Sequence, residues 1–246
     1  MIEKEGSTLE RLDKLLASTG KWSRKEVKDL IHQGRVLADG KAAGKPEERY
    51  DPGAVRLTVD GVEVDCSPFV YVMLHKPAGL LSATGDKRQP TVLDLLPPEL
   101  KRRGLFPVGR LDKDTTGLLL LTDDGGLAHR LLSPKKHVDK VYLARVEGRV
   151  DNEDVQALEA GMVLGDGLRC LPAGLEPLED GSMCRVTLRE GKYHQVKRML
   201  AARGKPVLAL HRLSMGPLTL DQELKPGQWR FLSSFEKSQL TEDRQN

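Results

Sequence analysis

Apolar positions in the first 35 residues fall at helical spacing in two short runs. Ser7 with Glu10 has the spacing of a capping box, and Leu9, Leu12, Leu15 and Leu16 share one helical face behind it. Ser23 with Glu26 repeats that signal ahead of Val27, Leu30 and Ile31, and Gly34 is placed to stop the second helix. The pattern then turns to strand spacing. Arg35 to Lys41 predicts a strand, a turn at Asp39-Gly40 and a return, and Val55, Leu57, Val59, Val62 and Val64 predict short strands around Asp60-Gly61. This is a compact helix–helix–hairpin unit, with residues 65–69, Asp-Cys-Ser-Pro-Phe, as a hinge.

From Tyr71 the texture changes. Strand-like runs at 71–74, 105–108, 118–122, 141–146, 185–188 and 207–210 alternate irregularly with loops. The clearest helices lie near 151–160 and 193–203, the second with Val196, Met199 and Leu200 on one face and Gly204 at its end. Strands and helices do not alternate as βαβ units. An α+β fold is therefore expected, with a mixed, mostly antiparallel sheet flanked by helices. The chain has no internal repeat, and its tail from Glu236 onward is polar and expected to fray.

With 246 residues, 39% of them hydrophobic, the chain has material for one large or two smaller domains. Aromatics are only 4%, which argues against an aromatic-studded RNA-binding sheet. Cys66, Cys170 and Cys184 have neither zinc-knuckle nor redox spacing and are expected as buried reduced thiols. That fits a reducing compartment. Residues 1–5 lack the apolar core of a secretory signal, and the longest apolar run, Phe69 to Leu74, is too short to span a bilayer. A soluble cytoplasmic protein without a membrane partner is the expectation.

The net charge of +3 implies little by itself, but the balance is local. Residues 9–35 hold seven Lys/Arg (11, 14, 21, 24, 25, 28, 35) against four acids. Residues 1–68 hold twelve against thirteen, so the positive charge belongs to the helix pair. Residues 183–212 hold eight against Glu190 alone, and residues 129–145 hold five against Asp139. One such run is usually a solvated face. Three in separate segments point to a polyanion, whose counterions are released as its phosphates are neutralised.

The stretch richest in chemistry is Gly109-Arg-Leu-Asp112-Lys-Asp114-Thr-Thr-Gly117, which feeds the apolar run Leu118 to Leu121. Glycines bracket a polar loop at the edge of a core, a mount that can fix a carboxylate's direction before substrate arrives. Asp-x-Asp beside Thr-Thr-Gly is by itself more often turn chemistry. Two further segments add weight. Lys140 and Tyr142 lie two apart on a strand and share a face. Gly191-Lys-Tyr-His194-Gln195-Val-Lys197-Arg198-Met199 opens a helix with cations on its polar side. A flipped base needs a flat apolar partner, which Tyr142 can supply. An ionised carboxylate in a partly dry pocket needs a cation, which Lys197 or Arg198 can supply. A half-buried core tyrosine and surface helix cations are the plainer readings.

The 109–117 loop resembles the signature loop of ribosomal RNA pseudouridine synthases. Tyr71 to Gly79 resembles their opening strand, Lys140 to Tyr142 their tyrosine motif and Gly191 to Met199 their third motif, in the family's order. Residues 8–65 resemble the alpha-L RNA-binding module of ribosomal small-subunit protein four. Within the family, His194 to Met199 and Leu210-His-Arg212 resemble the small-subunit branch, the RsuA type. The wider family usually has arginine where Lys197 stands, and lysine cannot make the same bidentate fork.

The resemblance implies an alpha-L RNA-binding domain over 8–66 and a catalytic domain over 70–236. The implied activity is isomerisation of a uridine in 16S ribosomal RNA, free or in a small-subunit assembly intermediate, with no cofactor and no metal. A monomer is expected. Asp112 would be nucleophile or base, Tyr142 would stack on the uracil and help proton transfer, and Lys197 would pair with Asp112. Arg110 would hold the flipped nucleotide, with His194, Gln195 and Arg198 also on the RNA. Asp114, Thr115 and Thr116 would shape the loop. The N-terminal unit has no catalytic candidate and is expected to dock RNA through Arg11, Arg24, Lys25 and Lys28.

Two other functions compete. A non-catalytic RNA-binding assembly factor would use the basic segments and leave the Asp112 loop as a structural turn. A glycoside-type hydrolase would need a second carboxylate facing Asp112 as acid. Asp114, two residues away, is a poor partner, and basic surroundings suit a carbohydrate badly.

Overall fold

The computed structural model describes residues 9–133, 138–178 and 180–242. The chain separates into two compact units. One comprises the residues up to Val70 together with Leu96–Leu105, and the other comprises Tyr71–Leu95 and the residues from Phe106 onward.

In the first unit, β1 (Glu10–Arg11) leads directly into α1 (Leu12–Ser18), and α2 (Arg24–His32) follows. The strands are β2 (Val36–Ala38), β3 (Lys41–Ala42), β4 (Arg49–Tyr50), β5 (Leu57–Val59) and β6 (Val62–Val64). β1 pairs with β4, and the remaining four form a sheet in the order β3-β2-β5-β6. Leu12, Leu16, Val27, Ile31, Val36 and Leu57 are buried together between the helices and this sheet. Asp39-Gly40 and Asp60-Gly61 both take positive φ, the turn whose twist suits a two-residue hairpin. The Ser23–Glu26 capping box forms as expected. Gly34, at φ +67, ends α2 with its N–H on Ile31 O while Arg35 N–H reaches Leu30 O.

The start of α1 differs from expectation. Glu10 and Arg11 are extended, Leu9 is exposed, and Ser7 lies outside the described residues. The orphan N–H groups of Leu12 and Asp13 donate to Glu48 O at 2.7 Å and Pro46 O at 3.0 Å. A returning loop caps this helix instead of a side chain. The short helix α3 (Pro98–Arg102) also belongs to this unit. Just beyond it, Arg103 donates to Ser67 O and Pro68 O, two carbonyls of the segment expected as a hinge.

The second unit is built on a nine-stranded mixed sheet. In chain order its elements are β7 (Tyr71–Lys76), β8 (Phe106–Pro107), β9 (Thr116–Thr122), α4 (Gly125–Leu132), β10 (Lys140–Val146) and α5 (Asn152–Glu159). Next come the hairpin β11 (Met162–Val163) and β12 (Arg169–Cys170), then β13 (Gly174–Leu178) and β14 (Met183–Leu188). Last are α6 (Gln195–Ala202), β15 (Val207–Met215), β16 (Leu218–Thr219), β17 (Trp229–Phe231) and α7 (Ser234–Glu242). The sheet order is β13-β14-β10-β15-β9-β7-β17, with β16 on β15 and β8 on β9. Among the described strand pairs of this sheet only β9 with β15 is parallel, so the sheet is mixed and mostly antiparallel as the pattern predicts.

Leu118 to Leu121 are all essentially inaccessible, so β9 reads as a continuous apolar run because both its faces are covered. On one face Met73, Leu118 and Leu120 meet Leu127, Ala128 and Leu131 of α4 and Leu240 of α7. The tail expected to fray from Glu236 is helical as far as Glu242, and residues 243–246 lie outside the described residues. Ser233 and Glu236 form a reciprocal capping box, Glu236 clasps Arg230, and Leu240 is buried. Among the described residues no helix is long and apolar enough to cross a membrane.

Candidate active site

The 109–117 loop hangs between β8 and β9, and its backbone is fastened from within. Lys76, at the end of β7, is fully buried and directs its ammonium at three carbonyls: Pro77 O (3.0 Å), Lys113 O (3.2 Å) and Thr115 O (2.9 Å). Burial pushes its pKa down to about 8, against the pull of Asp114 and Asp112. Gly79 N–H also donates to Lys113 O, and buried Ser82 both donates to and accepts from the Leu111 backbone. Thr115 N–H closes a turn onto Asp112 O. At the loop's far end Gly117 pairs with Arg212 in the parallel register, at φ +105. A Cβ there would lie 2.3 Å from Arg212 O, so only glycine lets the two strands meet.

Asp112 stands on this mount, its side chain one-quarter exposed. Lys197, on the first turn of α6, lies 3.2 Å from Asp112 Oδ2 and 2.6 Å from Asp114 Oδ1. The expected pairing with Asp112 is therefore shared, and Asp114 takes the shorter contact. Burial works against the Lys197 ammonium, but hydrogen bonds to Asp114 and Asp112 outweigh it and raise its pKa. The same hydrogen bond holds the Asp114 carboxyl below the usual range. His194 Nε2 is 3.4 Å from Asp112 Oδ1. His194 caps α6 in the left-handed region, φ 50, which turns its ring toward the loop.

Arg110, Asp112, Thr115, Tyr142, Lys192, His194 and Gln195 line one cleft of about 60 Å³, closed on its apolar side by Leu111, Leu188, Val196 and Leu210. Tyr142 is 8% exposed and lies on β10, in register with Val186 and Arg212. Lys140 shares its buried face and donates to Val138 O. Arg110 is exposed and makes no ion pair among the described residues. The structure thus brings Asp112, Tyr142, Lys197, Arg110, His194 and Gln195 together.

Several candidates expected on RNA have partners within the chain. Gln195 is buried, gives its amide N–H to Glu190 and accepts from Lys192 N–H, which locks the turn before α6. Arg198 pairs with Asp166 at 2.6 Å. Arg11 forks onto Asp13 with two 2.9 Å bonds and also meets Glu47, so it fastens the start of α1. Arg24, Lys25 and Lys28 are exposed on α2 and form no ion pair among the described residues. In the 129–145 run, Lys135 and Lys136 lie outside the described residues, and Lys140 is buried. Sequence reasoning passed over Lys76 and Ser82 as site residues. A lysine inside an apolar strand, directly before proline, was the available signal, since a buried ammonium must find acceptors.

Residues 70–202 match the RNA pseudouridylate synthase family, and residues 10–55 match the S4 domain. The chain is 50% identical to an RNA pseudouridine synthase of Bacillus subtilis (strain 168), over 94% of this chain and 98% of that protein. It is 44% identical to ribosomal small subunit pseudouridine synthase A of Pseudomonas aeruginosa, over 92% and 98%. A crystal structure of a pseudouridylate synthase superimposes with a TM-score of 0.66 at 35% identity, covering 94% of this chain and 99% of that one.

Proposed function

The chain belongs to the RNA pseudouridine synthases, isomerases that act on RNA, and from that premise we propose that it converts one uridine of small-subunit (16S) ribosomal RNA to pseudouridine, with Asp112 as the acting carboxylate. The observation that carries this reading is the cation-held Asp112 opening into the same cleft as the buried phenol of Tyr142. Likeness to the Pseudomonas aeruginosa enzyme, named for the small ribosomal subunit, supports the choice of RNA.

In the reaction the bond from N1 of uracil to the ribose breaks, a bond from C5 to the same carbon forms, N1 gains a proton and C5 loses one. Asp112 can attack the sugar carbon, attack the base, or take a sugar proton. Each course needs an ionised carboxylate. Lys197 supplies the counter-charge, and the Lys76 contacts hold the loop so that little reorganisation is left for the reacting step. Tyr142 offers an apolar face to the detached uracil. At about 60 Å³ the cleft is well below the ~300 Å³ lower end of ligand pockets, so a nucleotide must widen it. At its rim the side chain with room to move is Arg110, which is exposed and makes no ion pair among the described residues. The N-terminal unit docks RNA through Arg24, Lys25 and Lys28, with Arg11 beside them once its surface ion pairs exchange for phosphate.

Carbodiimide–primer-extension mapping of ribosomal RNA, from cells with and without the gene, tests this directly. One pseudouridine stop in 16S RNA is expected to vanish without the gene and return with the wild type but not with Asp112→Asn. The purified Asp112→Asn protein is expected to lose turnover and keep RNA affinity within about threefold. Substantial turnover by that variant, correctly folded, would sink the assignment.

A further inference from the structure

We propose that the Tyr193–His194 ring pair is a stacking platform for the unpaired base next to the target uridine, so that the enzyme grips two adjacent nucleotides and not one; this rests on the reading that Asp112 acts on an RNA uridine.

Tyr193 is 75% exposed in a chain with only four tyrosines, and it adds nothing to either core. Its ring is nonetheless ordered by a partner. It lies on the His194 imidazole with centroids 3.8 Å apart and planes 20° from parallel. His194 is fixed in turn by its left-handed backbone, by the Arg198 N–H bond to its carbonyl, and by Nε2 at 3.4 Å from Asp112. One end of this two-ring stack therefore touches the acting carboxylate, and the other presents an open aromatic face to solvent.

Flipping a nucleotide leaves its neighbour without a stacking partner on that side. An aromatic ring held beside the reacting group replaces that partner, and it does so for any base because every base has a π-face. Tyr193 is not needed to hold the turn itself. That turn is already closed by Gln195 on Glu190, by Lys192 N–H on Gln195, and by the Lys192–Glu190 ion pair.

The test uses the full chain and ribosomal RNA tritiated at uridine C5, taken from cells lacking the gene and offered both free and as ribosomal particles. Tritium leaves as C5 takes over the bond to ribose. Tyr193→Ala is expected to raise KM about tenfold, the size of one base–aromatic stack, with kcat within about twofold of wild type. Tyr193→Phe and Tyr193→Trp are expected to keep the wild-type KM. A synthetic fragment with 2-aminopurine on one or the other side of the modified uridine reads the contact itself. Wild type and Tyr193→Phe should quench the probe at one of the two positions, and Tyr193→Ala at neither. Wild-type KM and quenching in Tyr193→Ala would overturn the platform and leave the pseudouridine reading standing. No tritium release by the wild-type enzyme from either form of RNA would overturn both.

Discussion

Two segments hold similar numbers of lysine and arginine, eight in residues 183–212 and seven in residues 9–35, and folding treats them differently. In residues 183–212 every cation acquires a partner. Arg185 meets Glu176, Arg189 meets Asp139, Lys192 meets Glu190, and Arg198 meets Asp166. Arg203 and Lys205 converge on buried Asp154, Lys197 bridges Asp112 and Asp114, and Arg212 is buried against Leu118 O. In the N-terminal helix pair, Arg11, Lys14 and Arg35 are paired. Lys21, Arg24, Lys25 and Lys28 form no ion pair among the described residues. A local excess of charge along the chain is thus not a map of available charge. In residues 183–212 most partners come from other elements, whether the cation stands on β14 (Arg185) or on α6 (Lys197, Arg198), whereas Arg24, Lys25 and Lys28 of α2 are left exposed.

The comparison predicts separable effects. Lys197→Gln, which strikes a committed cation, should lower kcat about a hundredfold with RNA affinity within about threefold. Lost affinity with kcat retained would move Lys197 into the free group. Asp154→Ala strips two cations of a buried acceptor and loosens the α5 capping box. It should cost about 2 kcal/mol of stability in urea, discounted because both cations are partly exposed. A loss below ~0.5 kcal/mol would mean that the pairing is incidental.

Lys76 adds a pH test. Its folded pKa of about 8 lies below the ordinary 10.5, so between these values the unfolded chain holds the proton and the folded one does not. Its contribution to stability therefore rises with pH across that window. Activity should move the other way. A neutral amine has only two N–H groups for three carbonyls, and kcat should fall about tenfold per pH unit above 8. Lys76→Met, if it retains activity, should lose that limb, and an unchanged limb would assign it to another group. The smallest effect belongs to the free cations. Lys25→Gln with Lys28→Gln should raise the RNA Kd about fivefold and reduce the salt slope by about 1.4, at ~0.7 per phosphate on single strands. Their kcat should not change, and an unaltered slope would refute docking by α2.

Much of the architecture was legible because its signals act over a few residues. Asp39-Gly40 and Asp60-Gly61 specify their turns through φ alone, and Ser23-x-x-Glu26 caps its own helix. The same box at Ser233–Glu236 went unread because the surrounding tail is polar, and the helix is held by Leu240 and the Arg230 clasp. The start of α1 was not legible, since its cap comes from Pro46 and Glu48 across a loop.

At the cleft the division is sharper. Sequence alone determined the candidates for chemistry: the Asp112 loop bracketed by glycines, Tyr142 on a strand face, and the cations opening α6. Tertiary structure alone decided how they are used. It split Lys197 between two carboxylates 83 and more residues away, buried Lys76 under the loop, and seated Gly117 against Arg212. The physical reason is range. Dihedral preferences and caps are settled among neighbours, whereas a charge's partner depends on which strands the sheet brings side by side.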